Sequence, residues 1–285
     1  MIKSASHWMK LTTAIVLWTM LSGCVSSVAE NLPALTERQR VTLPPSLSET
    51  SGLFCQGERL LTINDSGNSP LLYTINTRGD VEHVRLLHAR NHDWEAVTMI
   101  GDTAFVADIG NNHGNRENLS VIQVSASKEE TVYPVGYADN TPARNTSYAH
   151  DFDAEALTAK EGKLLLFSKS WASYDARVYI FAPGEDISQL RPSARITGLP
   201  GVITGADWDS VRNEFAVIGY RSDPFGNFDA FLARISEDFR VITVWPLDGF
   251  RQAEGICVSP SGSYWVSQEA DDTQPALLIE LVPDI

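Results

Sequence analysis

What the sequence lacks narrows its chemistry first. Six histidines are scattered through 285 residues, with no His-x-x-x-His spacing on a helical pattern and no cysteine beside them. A zinc site of the usual nitrogen and sulfur donors therefore has no basis. No Gly-x-Ser-x-Gly elbow occurs, and no glycine-rich loop leads into a helical pattern. Serine-hydrolase and nucleotide-binding readings are unsupported for that reason. Basic residues are scarce as well: 22 Lys and Arg stand against 36 Asp and Glu, a net charge of −14. Such an excess repels phosphate backbones, so nucleic acid is not an expected partner, and divalent cations are a more natural one.

A long apolar run is also missing. Leu11 to Leu21 falls short of the ~20 residues of a bilayer span, and with Lys3 and Lys10 before it reads as a secretory signal peptide. The run ends in Leu21-Ser22-Gly23-Cys24, which resembles the bacterial lipobox. Residues 1–23 are then a lipoprotein signal peptide and Cys24 the lipidated, palmitate-bearing new N-terminus. An ordinary signal peptide or short anchor, with Cys24 incidental, is the alternative. Val25 follows the cysteine. By resemblance to the sorting rule of Gram-negative bacteria, this points to the outer membrane, facing the periplasm. Residues 24–36 show no periodicity and read as a tether, so the membrane is a partner through Cys24. No protein partner is identified.

What is present in quantity is a repeat. Asn91-His92-Asp93-Trp94-Glu95-Ala96-Val97-Thr98 returns as Asp151-Phe152-Asp153-Ala154-Glu155-Ala156-Leu157-Thr158. Fainter copies start at Glu49, Ile203 and Gln252. Spacings of roughly 45 to 60 residues suit one blade of a β-propeller per copy. Each copy is followed by further short runs bounded by Gly, Asn, Asp or Ser, rich in β-branched and aromatic residues, which read as strands. The last copy lacks a fourth run, whereas Arg38 to Leu43 is strand-like and otherwise unassigned. Pairing the two closes the ring and protects its edge. Residues 37–285 are thus predicted to be all-β, a single propeller of five four-stranded blades closed by an N-terminal strand, with six blades as the alternative.

Cys55 and Cys257 fall in the first and last copies, on strands that ring closure makes neighbours. Counted from Gly52 and Gly255 they are one position out of register, on opposite faces. A bridge and two buried thiols both remain open. Two insertions, 111–118 and 137–150, interrupt the spacing, and loops lengthened on one face of a repeat protein often mark its binding face.

The inner strand of each blade lines the axis, and the matching residues are read as Ser51, Glu95, Glu155, Asp207 (offset by one) and Glu254. Four carboxylates around one axis repel unless protonated or shared by a cation. Calcium or another divalent cation suits Glu95, Glu155, Asp207 and Glu254; alternatively each acid bonds backbone amides of the next blade and locks the ring. The ends of the second strands add Asp65, Asp108, Lys169, Tyr220 and Glu269. With Arg221, these mixed acid, base and cation groups suit a small-molecule site in a concave mouth. Asp65 or Asp108 is the candidate general base, and Lys169, Tyr220 and Arg221 the candidates for orienting substrate. His92 and His150 each precede an aspartate, which leaves a weaker His-Asp pairing open.

The segments Trp94-Glu95-Ala96, Asp108-Ile109-Gly110-Asn111-Asn112, Asp153-Ala154-Glu155-Ala156, Thr204-Gly205-Ala206-Asp207 and Ala253-Glu254-Gly255-Ile256 resemble a group of bacterial envelope propellers. These are related to the gluconolactonase and strictosidine-synthase-like superfamily, and to the propellers called SdiA-regulated or esterase-like phytase domains. The resemblance covers essentially the whole mature chain, and its short motifs specify fold better than reaction. It implies an axial divalent cation that polarises an ester. Two functions follow as expectations: a metal-dependent hydrolase of an ester, lactone or phosphoester, or a non-catalytic ligand- or protein-binding scaffold.

The lipobox reading predicts that cells fed a palmitate analogue label the wild-type chain and not Cys24→Ala. Label persisting in the variant would sink it.

Overall fold

The computed structural model describes residues 34–223 and 227–284. The predicted signal peptide, Cys24 and most of the tether lie outside these residues. Strand β1 spans Leu35–Thr42. It is followed by β2 (Thr50–Gln56), β3 (Arg59–Asn64), β4 (Leu71–Asn76) and β5 (Val81–Leu86) as blade 1. Blade 2 is β6 (Trp94–Ile100), β7 (Thr103–Asp108), β8 (Ser120–Val124) and β9 (Glu130–Pro134). Blade 3 is β10 (Ala154–Lys160), β11 (Lys163–Ser168), β12 (Ala176–Phe181) and β13 (Ala194–Ile196). Blade 4 is β14 (Val202–Asp209), β15 (Glu214–Ser222), β16 (Phe228–Ser236) and β17 (Val241–Pro246). Blade 5 is β18 (Ala253–Val258), β19 (Tyr264–Gln268) and β20 (Leu277–Pro283), completed by β1 as its outer strand.

These are five four-stranded antiparallel sheets, and the inner strands β2, β6, β10, β14 and β18 adjoin in a ring. The predicted fold is therefore observed, closure included. β1 runs antiparallel to β20, from Leu35 opposite Pro283 to Thr42 opposite Leu277. Gln268, at the end of β19, also faces Leu277. The inner strand β2 is buried along most of its length and the third strand β4 along half of it, whereas no residue of the outer strand β5 is fully buried. The apolar side chains fall into five clusters, one between each pair of neighbouring blades. Cohesion is thus blade against blade, with the sheets face to face. Among the described residues no helix is long and apolar enough to cross a membrane.

Every inner strand carries one β-bulge. The residue left out of register is Gly52, Glu95, Glu155, Thr204 or Glu254. A bulge bends the strand and re-aims the side chain it releases, and here three of the five are glutamates. The next residue is usually small (Ala96, Ala156, Gly205, Gly255) because five strands converge on the axis. A Cβ on Gly255 would come within 2.9 Å of the Leu53 Cβ, and one on Gly205 within 2.9 Å of the Glu254 carbonyl. Below the bulges the channel narrows to a void of about 10 Å³, room for one water at most.

The bulge also corrects two sequence alignments. Gly52, not Ser51, is the blade 1 equivalent of Glu95. Its φ of +55° and a Cβ that would lie 2.7 Å from the Ala96 Cα leave no room for a side chain. Thr204, not Asp207, is the equivalent in blade 4. Counted from the bulges, Cys55 and Cys257 are each three residues on, in register after all, and they form a disulfide with Cα atoms 5.4 Å apart. The bond joins the inner strands of the first and last blades.

Bridging residues 202 apart in sequence removes much unfolded-state entropy, worth about 2 to 5 kcal/mol. Cys55→Ser, or reduction of the native chain, is expected to lower Tm by roughly 5 to 20 °C. An unchanged melting curve under reductant would refute the contribution.

Candidate functional site

Inner strands start, and second strands end, on the same face of the ring, so bulge residues and β3, β11 and β19 end residues meet there. They line an open cavity of about 760 Å³. Its floor is Asp65, Glu95, Glu155, Lys169, Glu254 and Glu269, and its walls include Tyr148, Trp171, Tyr174, Tyr220 and Phe228. Six of the nine residues singled out in the sequence as metal ligands or catalytic groups line it: Asp65, Glu95, Glu155, Lys169 and Glu254 in the floor and Tyr220 in the wall, with Glu269 beside them.

Three candidates lie elsewhere. Asp207 is three residues further along β14 than the bulge, roughly 10 Å down the strand. Its carboxylate accepts from Thr158 Oγ1 (2.9 Å), Trp208 N (2.9 Å) and Val258 N (2.8 Å). Asp207 therefore ties blades 3, 4 and 5 together, which is the blade-locking role. Asp108 turns away into blade 2, where it binds Arg116 Nη2 at 2.6 Å, His92 Nδ1 at 3.0 Å and Asp93 N at 3.1 Å. The His92 partner is thus a structural aspartate. Arg221 follows Tyr220 on β15; strand alternation sends Tyr220 to the cavity and leaves Arg221 exposed.

Glu155 and Lys169 form a buried ion pair at 2.8 Å, both under a tenth exposed. Lys169 Nζ also lies 4.9 Å from the Trp171 ring centroid and 5.2 Å from that of Tyr220. Burial alone would depress the lysine, yet Glu155, Tyr220, Glu254 and Asp153 hold its pKa well above the ordinary value. Lys169 is therefore a permanent cation. Trp171 is held in turn by Asp153, which accepts its indole N–H at 2.8 Å.

Asp93 is the residue that sequence comparison passed over. Its carboxylate and those of Asp65 and Glu95 bring oxygens within 4.8 Å of one another, an arrangement that could hold a metal ion. The three come from the end of β3, the loop before β6 and the β6 bulge. Gly110 makes the approach possible: a Cβ there would lie 2.1 Å from Glu95 Oε1 and 2.4 Å from Asp93 Oδ2. Arg116 stands 3.6 Å from Asp93 and offsets part of the charge. Burial, then the neighbouring Glu155, Asp65 and Asp93, push Glu95 well above the usual carboxylate range. Burial lifts Asp65 to about 6. Asp65 was legible in the sequence as the end of a second strand, but nothing in the pattern distinguished Asp93 from the other acids of the repeat.

Both insertions reach the mouth. Tyr148 N donates to the Asn112 carbonyl (2.9 Å) and Asn145 Nδ2 to that of Gly114 (2.7 Å), which packs one loop on the other. Asn112 and Tyr148 line the cavity as a result.

No protein-family model matches the chain, and no curated protein matches it by sequence. Solved structures do. The PQQ-bound aldose sugar dehydrogenase from Streptomyces coelicolor is 9% identical, with a TM-score of 0.51 over 87% of this chain and 97% of that one. A luciferin-regenerating enzyme is 12% identical, with a TM-score of 0.48 over 82% of this chain and 77% of that one. Streptogramin B lyase is 10% identical, with a TM-score of 0.45 over 87% of this chain and 98% of that one. At these identities the likeness speaks to the shared fold and not to the reaction.

Burial raises both Glu254 and Glu269 from 4.5 to about 8. Between those values the folded state holds protons that the unfolded chain has lost, so stability falls as pH rises through that window and levels off above it. In chelator, Tm is expected to drop by several degrees from pH 5 to pH 8.5. Glu254→Gln should flatten the slope, and an equally steep slope in that variant would disprove the assignment.

Proposed function

We propose that this chain is a lipid-anchored propeller of the cell envelope, probing the periplasm from the outer membrane, whose mouth binds a hard divalent cation and a small ligand. The observation that carries the reading is the meeting of Asp65, Asp93 and Glu95, two of which, Asp65 and Glu95, line the floor of the 760 Å³ cavity. The donors are all carboxylate oxygens, which suit calcium, magnesium or manganese over softer ions. Gly110 leaves Glu95 and Asp93 room to converge. The residues therefore fit such an ion. Of the axial set expected from sequence, Glu95 stays in this role; Glu155 is engaged by Lys169 and Asp207 by backbone and threonine. The disulfide supports an oxidising compartment.

For chemistry, the reading is hydrolysis of an ester, lactone or phosphoester. When bound, the ion would polarise the scissile carbonyl or phosphoryl oxygen. The remaining roles fall to the chain's own residues. Glu269, raised to about 8, is protonated at neutral pH and can donate to a leaving oxygen. Glu254, raised similarly by burial, holds a proton that a bound cation can displace. Tyr220, packed on the Lys169 ammonium, orients the ligand, and Trp171 forms one wall of the cavity. A non-catalytic binding module is favoured by one observation: Glu155 and Lys169 satisfy each other, which leaves neither charge free for chemistry.

Calcium added to chelated protein is expected to raise Tm by several degrees at saturation, and Asp93→Asn to abolish that rise with little change in the chelated Tm. Absence of any divalent-ion shift would overturn the cation site. With the ion bound, turnover of an aryl ester or γ-lactone should fall about 100-fold in Glu269→Gln. Binding without turnover would leave the module reading.

A further inference from the structure

The cavity is far larger than an ion needs, and its surplus character is specific. Its described lining holds six carboxyl groups, on Asp65, Glu95, Glu155, Asp223, Glu254 and Glu269, against the single cation Lys169. That lysine is already engaged by Glu155 and by the Trp171 and Tyr220 rings. An anionic ligand group would enter against this excess and find Lys169 taken.

Among the described lining residues two buried side-chain atoms are left over, and both are oxygens able to accept. Glu254 Oε2 is buried without a hydrogen-bond partner, on a residue 5% exposed. Asn112 Oδ1 is in the same condition on the facing insertion. Glu254 lies outside the Asp65, Asp93 and Glu95 group, so an ion held there does not satisfy it. Buried acceptors without donors are unfavourable by about 1 to 3 kcal/mol each, and a ligand that brings N–H groups relieves them.

The walls are aromatic. Trp171 is fixed by Asp153, Tyr148 meets it edge-on with centroids 5.4 Å apart, and Tyr148 and Tyr174 remain 55% and 38% exposed. Ring faces bordering carboxylates attract organic cations, since the quadrupole and the charge act together. A neutral polyol would supply donors but leave the charge uncompensated.

We infer that the ligand of this cavity is an organic ammonium compound, its charged nitrogen taken by Glu254 and Asn112 and its apolar body lying against Trp171, Tyr148 and Tyr174. The inference rests on the mouth being a small-ligand site, as proposed above, and narrows the class of ligand. Within the three hydrolytic classes it favours an ester or lactone that carries an amine and disfavours a phosphoester.

A charge series of one shape tests it on the wild-type mature chain in chelator, by calorimetric titration with 2-phenylethylamine, 2-phenylethanol and phenylacetate. The amine is expected to bind at least about tenfold more tightly than the alcohol, with no measurable binding of phenylacetate. Glu254→Gln should narrow the amine-to-alcohol ratio about tenfold, and Trp171→Ala should weaken the amine. Equal affinities for amine and alcohol, preference for phenylacetate, or no binding of any of the three would overturn the inference, whether or not the variants fold. Because chelator is present throughout, failure here leaves the calcium-dependent melting shift to stand or fall separately.

Discussion

The approach of five inner strands to one axis is the constraint from which the rest follows. Strands that close together need small residues at the narrowest point, and Ala96, Ala156, Gly205 and Gly255 meet that need. A regular ladder would then point the preceding side chains into the same crowd. A bulge in each strand turns them aside, toward the open face. The acidic mouth is therefore a by-product of closing the ring: the positions freed from packing are the ones that can carry charge. Blade 1 shows the limit, for at Gly52 even a methyl group has no space.

Gathering buried carboxyl groups along one axis is unfavourable unless something answers each of them. Three answers are visible. Asp207 is met by backbone and hydroxyl donors from two adjoining blades and becomes structural. Glu155 is met by Lys169, and breaking so buried a pair costs on the order of 3 to 5 kcal/mol. Glu254 and Glu269, which burial raises to about 8, are answered by retained protons. That third answer is the one a ligand can replace, and so the acids left to protons are the ones available for binding.

How much of this could be read from the chain differs by level. Blade number, strand order and closure through β1 were all legible, because turn residues and apolar runs repeat at blade spacing and Arg38 to Leu43 had no other place to go. The level of each side chain along the axis was not. The search for a repeated acid matched Asp207 with Glu95, whereas the packing-dictated feature is the residue before a small one, which gives Thr204. The same one-residue ambiguity put Cys55 and Cys257 on opposite faces. A bulge adds a residue without changing composition, so periodicity alone does not reveal it. Asp93 was hidden for another reason: its partners Asp65 and Gly110 come from different hairpins, and only the fold brings them together.

The direction of β1 has a bearing on how the domain can be attached. Its last residues lie beside Leu277 and Gln268, at the cavity end of blade 5, and its first residue Leu35 pairs with Pro283 at the other end. Leu35 thus enters the ring on the face away from the mouth. Chain entry and ligand entry occupy opposite poles, and neither has to be interrupted for the other.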